Sequence, residues 1–420
     1  MTSPYHTPLG VSYPLEIKLL THVHIGSGEE YSQLTDYFVY DDQFHVLDND
    51  LFGELLYTHG ELDNYLEKVE ELVNSDKSTI ITRFTENQLK LELDTLPVIS
   101  QHALFGMENP LKVKRCVKSN AYAYIPGSSI KGAIRSALLY WWLTNRENEQ
   151  EHDKARRILD RWWQDAKRYM AKERVTERNG RNDRQYERFR KKVQEEIGRM
   201  FQRDVEQVLF GKLSDQKRLP TSNLKVSDCY LDRSIETIIC GCDRYNLRTG
   251  KRTLRIIREC LSSGEVFKLR TNLDYEVKEH DIAKYHSIIQ NILTPQDLFK
   301  VINHFSSAVL EYEYHVASSW ERNELHEYLD HLESIRAIIQ ANEEAAFMRL
   351  GAGKMMHYQT IAMALFHQWG KDEEDKEWLK YLDICNAFED EEVDDPYPVS
   401  RELTVTDQMP LGWVKLSIKK

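Results

Sequence analysis

No apolar run in this chain approaches the roughly 20 residues needed to cross a bilayer as a helix. The opening MTSPYHTPLG lacks the charged start and apolar centre of a secretory signal, so a cytoplasmic protein with no membrane partner is expected. Cysteine is sparse: Cys116, Cys229, Cys240, Cys242, Cys260 and Cys385 are all there are. Only Cys240 and Cys242 are close, and a structural zinc site wants a second such pair or a nearby His pair. Buried thiols are therefore expected, with no metal and no cofactor. Heptads, low complexity and fixed-period repeats are absent as well. Only a faint duplication of a strand, glycine loop and helix theme is visible.

Nucleotide loops are missing too. Gly353-Lys354 hints at a P-loop, but Met348 stands where the first glycine belongs and Met355 where the magnesium hydroxyl belongs. Gly26-Ser27-Gly28 lacks the third Rossmann glycine, because that place is Tyr31. Lys131 occupies the last glycine position of a serine-hydrolase elbow. A global positive charge is lacking, since the net charge is −12 over 420 residues. The charge is uneven, however. Lys154 to Arg203 is rich in Arg and Lys, and Lys371 to Asp395 is strongly acidic. Polyanion binding depends on a local patch rather than the total, although a charge-dense helix is often only a solvated face.

What is present reads as an α+β chain with 41% hydrophobic and 30% charged residues. Leu15, Ile17 and Leu19 alternate with charges and predict a strand ending at the His22–Gly28 turn. Strands are expected at 37–40 and 44–47, and a helix at 51–73, capped by Asp48 or Asn49, with Leu55, Leu62, Leu66, Val69 and Val73 as its apolar stripe. A basic helical insertion (141–210) is expected to break near Asn179-Gly180. Leu224 to Leu231 predicts a strand, and 237–262 a long hairpin with its tip at Asn246–Gly250. Residues 279–345 read as helical, with turns near Pro295 and Ser318-Ser319. Gly351–Lys354 reads as a loop leading into another helix, and Val414, Leu416 and Ile418 as a closing strand.

Two segments could carry chemistry. After Pro126, a helix beginning near Gly127, Ser128 and Ser129 offers free backbone N–H groups and a partial positive charge. Gly127 permits close approach, and Lys131 and Arg135 lie one turn apart. Together they suit a phosphate chain, and an ordinary capped helix is the competing reading. The hairpin carries Arg244, Arg248, Lys251, Arg252, Arg255 and Arg258 against Asp243 and Glu259. It reads as a polyanion contact or as an edge ribbon kept soluble by charge. His22 and His24 alternate on one strand and could serve acid–base cleavage, and Asp36 is a lone carboxylate. None of the three has a visible partner group.

At these residues the chain resembles the RAMP superfamily of CRISPR–Cas proteins. His24-Ile-Gly-Ser-Gly28, then Tyr124-Ile-Pro-Gly-Ser-Ser-Ile-Lys-Gly-Ala-Ile-Arg135, carry the likeness, and Arg349-Leu-Gly-Ala-Gly353 is similar to its glycine-rich loop. Pro398–Arg401 and Pro410-Leu-Gly-Trp-Val-Lys-Leu416 resemble the terminal RAMP subunit of type III-A Csm complexes. The resemblance implies a ferredoxin-like (RRM-like) fold with a helical insertion, a β-hairpin thumb and a largely helical C-terminal region. It divides the chain into 1–270 and 271–420. It implies RNA contacts from His24, Gly26, Ser27, Gly28, Gly127, Ser128, Ser129, Lys131, Arg135, Arg244, Arg248, Lys251, Arg252, Arg349 and Lys354. The implied partners are the crRNA 3′ region, target RNA, the backbone RAMP subunit, the small helical subunit and host nucleases that trim the crRNA. The glycine-rich loop continues Lys354-Met-Met-His without the further glycine often seen. Asp36 lies near where backbone subunits carry a target-cleaving Asp, but Ser32–Asp36 lacks their glycine-rich context. The resemblance therefore implies a non-catalytic RNA-binding cap, with a RAMP endoribonuclease using His22, His24 or Asp36 as the alternative.

Overall fold

The computed structural model describes residues 12–73, 80–107, 110, 112–119, 122–145, 149–174, 180–206, 224–230, 237–273, 294–354, 358, 363–364 and 399–419. Two large sheets organise them, beside a two-stranded one of β7 (Lys118–Ser119) and β8 (Tyr122–Ala123). The first has the order β13-β15-β1-β12-β9. Its strands are β1 (Ser12–Leu19), β9 (Leu224–Val226), β12 (Val266–Leu273), β13 (Ala345–Arg349) and β15 (Trp413–Ile418). All of its pairings are antiparallel. Leu15, Ile17 and Leu19 are buried as their alternation requires. Their face packs on α4 (Gly127–Thr144) and α7 (Pro295–Ser318). Two helices of the insertion, α5 (Glu149–Glu173) and α6 (Asp183–Phe201), extend this core through Trp162, Trp163, Val193 and Ile197. Gly180, with φ +71°, lies between them, at the expected break.

The second sheet runs β2-β6-β11-β10-β5-β4-β3, and β14 also pairs with β10. It comprises β2 (Gly26–Ser32), β3 (Tyr37–Tyr40), β4 (Gln43–Leu47), β5 (Val98–Phe105), β6 (Lys112–Cys116), β10 (Ile238–Asn246), β11 (Lys251–Cys260) and β14 (Ser400–Thr404). Strands from both sides of residue 270 share both sheets: β13 and β15 join β1, and β14 joins β10. The division expected there separates no sheet. Acidic residues 371–395, the helix expected after Lys354, and the start of the 279–345 stretch lie outside the described residues, except Tyr358, Met363 and Ala364.

Three expectations are corrected. The helix expected over 51–73 is two helices, α1 (Asn49–Thr58) and α2 (Leu62–Val73), because Gly60 takes φ +71° between them. The break resets the helical phase. Phe52, Leu56 and Tyr65 are buried, while Leu66 and Val73 of the expected stripe are exposed. The helix expected to reach 345 ends earlier as α8 (His326–Gln340), and 345–349 is the buried edge strand β13. The hairpin is not an edge ribbon. β10 pairs with β5 and β14, and β11 pairs with β6.

The two sheets join where glycine segments meet. The Gly412 N–H donates to the His22 carbonyl (2.8 Å), Leu350 N–H to Gly412 (2.7 Å), and Ala352 N–H to His24 (2.8 Å). A Cβ on Gly351 would lie 2.1 Å from the His24 oxygen, and one on Gly412 would lie 2.2 Å from the Leu350 oxygen. Only glycine fits either place.

Candidate nucleic-acid interface

The PGSS segment starts α4 at Gly127, with Pro126 in extended conformation before it. Ser128 and Ser129 thus lie inside the first turn instead of capping it. The cap is Asp228, whose Oδ1 accepts the Gly127 N–H at 2.8 Å. A Cβ on Gly127 would lie 2.2 Å from the Val226 oxygen, so glycine here seats the helix start on β9. One orphan N–H is therefore already satisfied by a carboxylate, which weakens the bare helix start as an anion site. Ile130, Ile134 and Leu138 face the core as expected. Ser128 is exposed, while Ser129, Lys131 and Arg135 are half-buried. Burial, and then the neighbouring Arg135, lowers the Lys131 pKa.

Gly26, Ser27 and Gly28 open β2 and are exposed. His24 is not. Its Nδ1 lies 2.7 Å from the Glu259 carbonyl, and burial pushes its pKa down to about 4. His22 Nδ1 accepts the Ser263 N–H at 3.0 Å, and burial again lowers its pKa. Asp36 Oδ2 accepts the Ser32 N–H (2.8 Å) and its Oδ1 accepts the Thr35 hydroxyl (2.8 Å). Each group weighed for cleavage thus has a structural hydrogen bond.

Arg349, expected at RNA, is in the core. Its guanidinium donates to both Glu313 oxygens (3.2 Å each) and to the Leu411 carbonyl (2.7 Å). Arg401, Tyr328 and Tyr358 also meet Glu313. Burial works against the Arg349 charge, but Glu313, Tyr358 and Tyr328 together outweigh it and hold the pKa up. This cluster ties α7, α8, β13 and β14 together, and an arginine enclosed there offers nothing to RNA. Burial, and then Arg349, lowers the pKa of Lys354.

On the hairpin, Arg244, Arg248, Lys251 and Arg252 are exposed. Arg255 makes a two-bond fork to Asp243 (2.9 and 3.2 Å), and Arg252 adds a 3.4 Å contact to the same carboxylate. Arg258 is buried against Glu402 (3.0 Å for Nη2 to Oε2). The tip is docked: Arg322 donates to the Arg248 carbonyl at 3.1 and 2.6 Å. Glu259, within the hairpin, is also buried. It accepts from Lys118, Thr237 and the Cys116 N–H, and although burial raises its pKa, Lys118, Thr237 and His102 together outweigh that and hold it low. Sequence reasoning missed the Glu313 and Glu259 clusters, because their members are far apart in the chain. It also missed the Tyr124–Tyr230 ring pair, stacked at 5.2 Å and 16° beside the α4 start.

Among the described residues no group of His, Cys, Asp and Glu is arranged to hold a metal ion, and no helix is long and apolar enough to cross a membrane. Five cysteines are buried free thiols, and burial pushes those of Cys116 and Cys229 up to about 12.

The family described as the RAMP superfamily matches residues 16–390. A curated protein of Methanocaldococcus jannaschii, described as the CRISPR system Cms protein Csm5, is 33% identical over 154 residues, covering 33% of this chain and 34% of the relative. That match spans about a third of the relative's length. A chain of the cryo-EM structure of a Csm–crRNA–target RNA ternary complex from a type III-A CRISPR–Cas system is similar in fold. It has a TM-score of 0.67 and 19% identity, over 97% of this chain and 100% of that one. The crystal structure of T. onnurineus Csm5 is similar at a TM-score of 0.62 and 20% identity, over 95% and 99%.

Proposed function

Since the chain belongs to the RAMP superfamily, we propose that it is the RNA-binding subunit that ends the backbone filament of a type III-A effector complex at the crRNA 3′ end. The observation that carries this reading is the fold likeness over the full length of a chain from a Csm–crRNA–target RNA complex. The local identity to a protein named Csm5 supports the same subunit. The exposed cations of the hairpin and the half-buried Lys131 and Arg135 of α4 supply sequence-independent phosphate contacts. Its partners are the crRNA 3′ region, target RNA, the last backbone RAMP copy and the small helical subunit. Host nucleases trim the protruding RNA, and the complex works in the cytoplasm. The role is non-catalytic: His22 and His24 are held by burial as neutral structural groups, and Asp36 closes a turn.

The test is sequencing of crRNA purified with complexes assembled without this protein. Altered, mostly longer 3′ ends with unchanged 5′ ends are expected. Normal 3′ ends, or a defect confined to the 5′ end, overturn the assignment. In the assembled complex Asp36→Ala is expected to leave target cleavage intact. Loss of cleavage with normal assembly would favour the endoribonuclease alternative.

A further inference from the structure

The start of α4 lies beside one end of the first sheet, where the outward face carries aromatic and basic side chains. Ile125 and Cys229 form a β-bridge and are both buried. Side chains alternate along a strand, so their neighbours Tyr124 and Tyr230 point the other way. Their rings stack, with centroids 5.2 Å apart and planes within 16°. Tyr230 is 45% exposed. It bridges in turn to Lys268 of β12. Phe267 and Leu269 flank Lys268 and are buried, which leaves Lys268 and Val266 on the open face. Lys18 of β1 pairs with Val266 and is exposed, as is Lys225 of β9. Two carboxylates adjoin this face: Glu16, opposite Lys268, lies 4.0 Å from Lys419, and the exposed Asp228, beside Tyr124, accepts the Gly127 N–H.

We propose that this open end of the sheet is a stacking platform for unpaired bases of single-stranded RNA, with Tyr230 as its outer ring and Tyr124 as the ring behind it. The proposal rests on the RNA-binding reading above and adds a mode that phosphate contacts do not provide. A stacked pair with one open face extends by a further flat ring, and any base supplies one. Lysines spaced around the rings meet the phosphates between successive bases. The pattern is unlike a protein-docking face, which would keep charge out of its centre; here Lys268 interrupts the apolar surface beside Tyr230. Lys131 and Arg135 begin one turn after Tyr124-Ile-Pro, so a strand held at the α4 start meets the platform next.

The test is titration of the full-length protein with a short single-stranded RNA and with the same RNA carrying abasic sites. Tyr230 is exposed, so its replacement leaves the core intact, and equal melting temperatures verify this. Tyr230→Leu is expected to bind the intact RNA about tenfold more weakly, while Tyr230→Phe keeps wild-type affinity. The salt slope stays unchanged in both, because stacking releases no counterions. Abasic RNA is expected to erase the difference between wild type and Tyr230→Leu. Equal binding of intact RNA by Tyr230→Leu and wild type overturns the platform alone. So does a defect that appears only in docking of a neighbouring subunit, which would make this face a protein interface. No RNA binding by the wild type overturns both the platform and the RNA-binding reading.

Discussion

Gly351 and Gly28 hold similar left-handed backbones, with φ +68° and +91°, in opposite surroundings. A side chain on Gly351 would strike the His24 carbonyl, whereas nothing lies within 4 Å of one on Gly28. Gly351→Ala is therefore expected to cost about 2–4 kcal/mol, from strain plus overpacking, and Gly28→Ala only about 1 kcal/mol from strain. Thermal melts of the two variants check the difference, and equal losses would contradict the packed seam. His24 gives a pH dependence. Burial holds its pKa near 4 in the folded chain, against 6.5 when unfolded. Above about pH 6.5 both states are neutral. As pH falls from there to about 4, the unfolded state gains a proton that the folded state refuses. Stability then falls by an amount on the order of 3 kcal/mol and levels off below that window. His22, also lowered by burial, acts with the same sign. Denaturation midpoints measured across this range are expected to flatten in His24→Gln. A folded variant with an unchanged slope would place the dependence elsewhere. The glycines and histidines were legible as special positions, but the alternatives of RNA contact and packing were not separable. A motif names the residue type, not the carbonyl that faces it.

At the scale of elements, local periodicity located β1, β3, β4, α4, both helices of the insertion, the 246–250 tip and β15. It did not show that the hairpin lies inside a sheet, since its arginines look alike in sequence. Arg258 is enclosed with Glu402, and Arg244 is exposed. Arg258→Ala is expected to cost about 3–5 kcal/mol by stranding a buried carboxylate, and Arg244→Ala less than about 0.5 kcal/mol. Chemical denaturation checks this, and equal effects would mean the pair is not closed in solution. β15 was expected as a closing strand, yet its place between β1 and β13 makes it central. Deleting residues from Leu411 onward removes Trp413, Val414 and Leu416, all buried. At ~1.5–3 kcal/mol each the loss rivals a domain's whole stability. Insoluble or unfolded protein is expected, and a soluble truncation with unchanged melting would show the strand to be peripheral.

At the scale of the whole molecule, an open stack of like subunits has a heterologous interface and needs a different subunit to end it. The reading proposed above makes this chain that subunit, and its helical insertion holds 17 Lys and Arg against 8 Asp and Glu between Lys154 and Arg203, in a chain of net charge −12. One copy per filament is therefore expected when the protein is titrated into backbone-subunit assemblies on crRNA. Mass measurement of the assemblies checks this, and uptake of several copies in a row would contradict a terminal position.

Read along the chain alone, the residues gave its class, its superfamily, α4, the helices of the insertion, strands such as β1, β3, β4 and β15, and the residue types that its tight turns need. These depend on periodicity, on glycine's freedom at positive φ and on short motifs, all readable along the chain. Tertiary structure alone decided which charges face water. Arg349 meets Glu313 and Arg258 meets Glu402 across 36 and 144 positions. It also decided that Asp228 caps α4 from 101 residues away and that Tyr230 stacks on Tyr124. Such pairings arise when strands from distant stretches share a sheet, and no local pattern encodes the partner.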